Sequence, residues 1–118
     1  MQRPKILVID DEPEIRELLV EFLDLLGYEG VMARDGEEGV RLFKEAKFQL
    51  VLTDLSIPKL SGIEVAERIK SISPKTFVVL ITGWGNEVKT SSFIDYILTK
   101  PFKLDRLRTL LNKVFKRQ

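Results

Sequence analysis

Apolar residues are concentrated in short runs separated by longer amphipathic stretches. KILVI (5–9), FQLVL (48–52), FVVLI (77–81) and DYIL (95–98) are each too short for a helix and rich in Val, Ile, Leu and Phe. Such runs read as parallel strands buried on both faces. Between them the spacing changes to that of a helix. Pro13 suits a first helical turn, and Ile15, Leu18, Leu19, Phe22, Leu25 and Leu26 follow at helical intervals up to Gly27. A short strand is expected from Glu29 to Ala33. Asp35 with Glu38 marks a helix start, and Val40, Leu42, Phe43 and Ala46 supply that helix's buried face.

Ser61 with Glu64 forms a second start signal, ahead of Ile63, Val65, Ala66 and Ile69, and Pro74 turns the chain into the next strand. The stretch GWGNEVKTSSFI is rich in glycine and serine, so a helix there is expected to be short. Leu104, Leu107, Leu110, Leu111, Val114 and Phe115 define a final amphipathic helix. Strand therefore alternates with helix along the whole chain. Right-handed crossovers then predict an α/β domain, a doubly wound parallel sheet with helices on both faces. At 118 residues one domain over 1–118 is expected, with no linker, repeat or low-complexity tract.

Composition narrows the chemistry. Nineteen basic and eighteen acidic residues leave a formal charge of +1, so no global field recruits nucleic acid or an anionic membrane. The cations near the C-terminus suit the last turn of a helix. Cysteine is absent, which excludes disulfides and thiolate metal sites and fits a cytoplasmic location. Histidine is absent too, which removes the usual general base, zinc ligand and phosphohistidine carrier. No cleavable apolar leader or membrane-spanning run is present, and a protein free of the membrane is expected. Chemistry must run on carboxylates, hydroxyls and lysine.

Those groups stand at strand ends. Asp10 and Asp11, Asp54, Thr82 and Lys100 each lie at or just after the carboxyl end of an apolar run, so one parallel sheet gathers them along one edge. Adjacent carboxylates repel unless a cation is near, and Mg2+ takes one or two carboxylates together with phosphate oxygens. Asp54 is the candidate nucleophile for a phosphoryl group and a further metal ligand. Lys100, the Thr82 hydroxyl and the Gly83 amide can neutralise and hold anionic oxygens. Taken singly, each has a plainer role: Asp11 or Glu12 as helix cap, Lys100 as surface lysine, Thr82 as turn residue. Their joint placement favours the site.

The motifs VIDDEPEIRELL, VLTDLSIPKLSGIEVAERIK and ILTKPF, with Thr82 between them, resemble the receiver domains of bacterial two-component response regulators. The likeness covers essentially the whole chain. It implies a flavodoxin-like (βα)5 fold with strand order 2-1-3-4-5. It also implies that Asp54 takes a phosphoryl group from the phosphohistidine of a sensor histidine kinase or a histidine phosphotransfer protein. Mg2+ would be held by Asp10, Asp11, Asp54 and the Ser56 carbonyl, Asp10 acting through water, with Thr82 and Lys100 on the phosphoryl oxygens. The Lys100–Pro101 bond is often cis in such domains. The domain would be a switch that passes its state to a downstream protein, its catalysis limited to its own phosphorylation and dephosphorylation.

Two departures stand out. The aromatic expected three residues before the lysine is replaced by Ile97, with Tyr96 one place earlier and so on the opposite face of the strand. The stretch from Thr82 to Lys100 is also about one helical turn short, which predicts a truncated fourth helix and a monomer or weak dimer. Trp84 is expected to lie over the crevice or to cover nearby apolar surface. Two other functions fit less well: a phosphorylation-independent interaction module, and an aspartate-nucleophile phosphatase, which needs a second aspartate where Ser56 stands.

Overall fold

The computed structural model describes residues 3–83 and 92–116. Five parallel strands, β1 (Lys5–Ile9), β2 (Glu29–Ala33), β3 (Leu50–Asp54), β4 (Phe77–Thr82) and β5 (Tyr96–Thr99), form one sheet in the order β2-β1-β3-β4-β5. Helices α1 (Pro13–Leu25), α2 (Gly36–Glu45), α3 (Gly62–Ile72) and α4 (Leu104–Phe115) cover its two faces. Strand residues alternate between two cores, as the two-residue period requires. Ile6 and Val8 join Leu19, Leu23, Leu107 and Leu111 on the α1/α4 side. Leu7 and Ile9 join Val40, Phe43, Val65 and Ile69 on the α2/α3 side.

Local signals fix the helix ends. Pro13 opens α1, and Gly27, at φ 94°, closes the turn after it in a left-handed conformation open to glycine. The Asp35 carboxylate accepts the Glu38 amide at 2.7 Å, while Glu38 reaches back to the Arg34 amide at 2.9 Å. At α3 the Ser61–Glu64 capping box is complete. Gly62 lets α3 sit against the end of β3: a Cβ there would lie 2.5 Å from the Asp54 carbonyl oxygen.

The outer parts of the pattern need correction. In α1 the fully buried residues are Leu19 and Leu23, whereas Leu18 is 48% exposed and Leu25 84%. The strand expected from Phe48 begins at Leu50. The strand expected to be buried around Ile97 is an edge strand, with Ile97 itself 43% exposed. Tyr96 does face away from Ile97: it packs on the Phe77 ring at 6.5 Å, with the Lys113 ammonium 5.8 Å from its centroid. Trp84 and most of the stretch expected to hold a short helix lie outside the described residues. Among the described residues, no helix is long and apolar enough to cross a membrane.

Candidate functional site

Register delivers the acidic residues to one place. Ile9 lies opposite Thr53 in the β1–β3 pair, and Asp54 opposite Ile81 in the β3–β4 pair. The chain beyond each of these strands therefore leaves the sheet at the same edge, with Thr82 opposite Thr99 one step further along. Covering helices leave Asp10 1% exposed, Asp54 7% and Thr82 3%. Three polar side chains buried to this degree need partners or a ligand.

Lys100 supplies much of the compensation. Its ammonium donates to Asp54 Oδ2 at 2.8 Å and stands 3.8 Å from Asp10 Oδ2. The Lys100 amide donates to the Thr82 carbonyl at 2.7 Å, which ties the lysine to the end of β4. The Lys100–Pro101 peptide is cis. Burial alone would lower the Lys100 pKa, but the hydrogen bond and charge of Asp54, then the charge of Asp10, raise it above the ordinary lysine value. The lysine is a fixed cation.

Asp54 Oδ1 accepts the Ser56 amide at 3.2 Å, and Ser56 itself is exposed. Among the described residues the Thr82 hydroxyl reaches only the Gly83 carbonyl, at 3.5 Å, a length at which little of a hydrogen bond remains. It is thus available to another acceptor. Gly83 continues from it, half-buried, at the rim.

Asp10 is the least satisfied member. Its Oδ1 accepts the Glu12 amide at 2.9 Å, but among the described residues its buried Oδ2 has no hydrogen-bond donor. Burial above all raises its pKa; the Glu12 amide and Lys100 work against this, and the charges of Asp54 and Glu12 add to it. Carboxylate oxygens of Asp10, Asp11 and Glu12 lie within 4.8 Å of one another. A buried orphan oxygen inside a set of hard oxygen donors fits Mg2+ or a similar cation.

Sequence reasoning underrated Glu12, which is the N-cap residue of α1 but makes no side-chain capping bond and instead joins the acidic group. It also missed Arg16, whose guanidinium donates to the Asp10 carbonyl at 2.7 Å and pins the acidic turn to α1. Placement one turn into α1 from the acidic residues was the available signal. Asp54 is not part of the three-carboxylate group; Lys100 bridges the two. Beside the site an apolar depression of about 530 Å³ opens between Ile15, Leu18, Pro101 and Phe102, with Lys100 on its border.

Comparison with known proteins finds relatives along nearly the whole chain. The family model described as response regulator receiver domain matches residues 6–112. Sporulation initiation phosphotransferase F of Bacillus subtilis is 32% identical over 118 residues, covering 96% of this chain and 94% of that protein. The autoinducer 1 sensor kinase/phosphatase LuxN of Vibrio campbellii is 34% identical over 113 residues, 93% of this chain but 13% of that protein. The chain thus spans only a fraction of some of the longer relatives it matches. Among solved structures, the response regulator protein TrrA of Thermotoga maritima, in complex with Mg2+ and BeF, superposes with a TM-score of 0.87 at 36% identity, covering 94% of this chain and 98% of that one. TrrA has also been solved in complex with the histidine kinase ThkA.

Proposed function

Because the chain belongs to the response regulator receiver domain family, we propose that Asp54 is its phosphoacceptor and Lys100 and Thr82 the groups that hold the transferred phosphoryl oxygens. The observation that carries this reading is the Lys100 ammonium at 2.8 Å from Asp54 Oδ2, at the mouth of a crevice that also holds the uncommitted Thr82 hydroxyl. A carboxylate oxygen of Asp54 attacks the phosphorus of a phosphohistidine. The new O–P bond forms as the P–N bond breaks, and the bonding pair leaves on the imidazole nitrogen, which then takes a proton. Positioning and charge neutralisation do most of the work in such a transfer.

Each residue has a share. Lys100 holds Asp54 oriented, then follows the charge onto the incoming oxygens. Thr82 donates its hydroxyl, and the Gly83 amide adds a donor at the same rim. Asp10, Asp11, Asp54 and the Ser56 carbonyl would hold Mg2+, which when bound neutralises charge on the phosphoryl oxygens. The orphan oxygen of Asp10 supports that assignment. Glu12 stands close enough to tune the site's charge. The apolar depression by Ile15, Leu18, Pro101 and Phe102 supports docking of the phosphodonor's helical surface next to Asp54.

The domain is a signalling switch. Conversion of the carboxylate to an aspartyl phosphate replaces one negative charge with about 1.5 to 2 carried on three acceptor oxygens, which biases a pre-existing equilibrium of the surrounding loops. Tyr96 is held against Phe77 and Lys113 on the α4 side, so the output of this switch does not run through an aromatic on the exposed face of β5. The test is phosphoryl uptake from acetyl phosphate, followed by rapid quench and intact mass. The account expects one adduct on the unaltered chain, none on Asp54→Asn, and a strongly slowed reaction in Lys100→Met. Uptake by Asp54→Asn at the normal rate would remove the assignment.

A further inference from the structure

At the opposite, amino-terminal edge of the sheet lies a depression of about 620 Å³ that the phosphoryl chemistry does not use. Its floor is aromatic, built from Phe43, Phe48, Phe77 and Phe115. Phe43 and Phe48 are only 5% and 6% exposed and stack with their centroids 5.9 Å apart, so this part of the wall is fixed by the core. The rim is cationic: Lys44, Lys47 and Lys75 are exposed, and among the described residues no carboxylate pairs with them or lines the depression. Lys44 belongs to the last turn of α2, where a cation suits the helix dipole. Lys47 and Lys75 lie beyond the caps of α2 and α3, so that explanation does not reach them.

The depression continues past Lys44 and Ile72, which is 47% exposed, into a groove of about 460 Å³ between α2 and α3. Glu64 and Glu67 line that groove with Arg68, so the positive end of the path is the aromatic end. An extended path with an apolar floor suits a length of chain better than a compact small molecule. We propose that this edge is a docking surface for an acidic peptide segment of a partner protein, its aromatic or aliphatic anchor in the phenylalanine-floored depression and its carboxylates over Lys44, Lys47 and Lys75. Attraction between the partner's carboxylates and these lysines sets its orientation, and the anchor supplies the affinity. The surface lies away from Asp54, so it operates whether or not the phosphoacceptor reading holds.

The probe is a short synthetic peptide alternating Asp and Glu with Phe and Leu, titrated into the ¹⁵N-labelled chain. A basic peptide with Lys at every acidic position and the single-chain amphiphile dodecanoate run in parallel. Amide shifts clustered around Phe43, Phe48, Phe77 and Phe115 with the acidic peptide alone are expected. Affinity should fall about tenfold in the Lys47→Glu/Lys75→Glu double variant and stay unchanged in Asp54→Asn. No shift at those amides, equal binding of the basic peptide, equal binding by the double variant, or binding of dodecanoate in place of the peptide would each overturn the proposal. The mapping on the unaltered chain decides the matter even if the double variant folds poorly.

Discussion

Asp10→Asn should make the metal-free protein more stable, because the residue is kept for its charge at a cost to the fold. The carboxylate is 1% exposed, and its Oδ2 has no hydrogen-bond donor among the described residues. A buried polar atom left without a partner costs about 1–3 kcal/mol. Repulsion from Asp11 and Glu12, whose oxygens lie within 4.8 Å, adds about 0.9 kcal/mol each in a water-like dielectric. Against this stands the attraction to Lys100 at 3.8 Å, about 1 kcal/mol on the same scale. The substitution keeps the Oδ1 bond to the Glu12 amide and leaves Lys100 paired with Asp54. The asparagine Nδ2 is itself a buried polar group, so only the lower end of the burial cost is recovered, and the balance is a gain of about 2 kcal/mol, or about 8 °C in Tm for a domain of this size.

Thermal melts in EDTA and in millimolar MgCl2 read the effect directly. The unaltered chain should gain with Mg2+, by about 2.7 kcal/mol at a hundredfold excess over Kd, while the variant gains far less. The pH dependence has a definite sign. The Asp10 pKa is raised above its ordinary value of 3.8, so the folded state binds its proton more tightly than the unfolded state. Between the ordinary and the raised value, metal-free stability falls as pH rises, and Asp10→Asn removes that slope. A variant less stable than the parent in EDTA, or one that gains equally from Mg2+, would refute the reasoning.

Other predictions test the fold and the frame of the site. Leu23→Ala should cost about 2–5 kcal/mol and Leu25→Ala less than about 0.5, measured by urea unfolding. Gly62→Ala places a methyl against the Asp54 carbonyl and should cost about 1–3 kcal/mol and slow phosphoryl uptake, read by melting and by quenched mass spectra. Asp95→Ala should cost about 1.5–3 kcal/mol, because its Oδ2 accepts both the Lys70 ammonium at 2.6 Å and the Val78 amide at 2.8 Å. The raised Lys100 pKa contributes stability that is present below the ordinary lysine value and lost as pH rises through the raised one, so alkaline melts of Lys100→Met should lack that loss.

The central strands were legible because β1, β3 and β4 are buried on both faces, which leaves continuous apolar runs. The two best helix starts, at Asp35 and Ser61, were legible because capping is local. The meeting of Asp54 with Lys100 followed from their places at strand ends. Helix α1 misled because apolar residues occupy too much of its circumference: the helical spacing singled out Leu18 and Leu25, which packing leaves exposed, and passed over Leu23, which packing buries beside Leu19. The edge position of β5 depends on sheet order, which no single strand encodes. The Lys70–Asp95 pair spans twenty-five residues and leaves no local trace.

Chemical mapping of the acceptor tests the assignment of Asp54. The chain is treated with acetyl phosphate and Mg2+, reduced with borohydride to convert an aspartyl phosphate to homoserine, digested and sequenced by mass spectrometry. Homoserine is expected at position 54, with unreduced aspartate at positions 10 and 11. Homoserine at another aspartate, or none at all after rapid quenching, would contradict it.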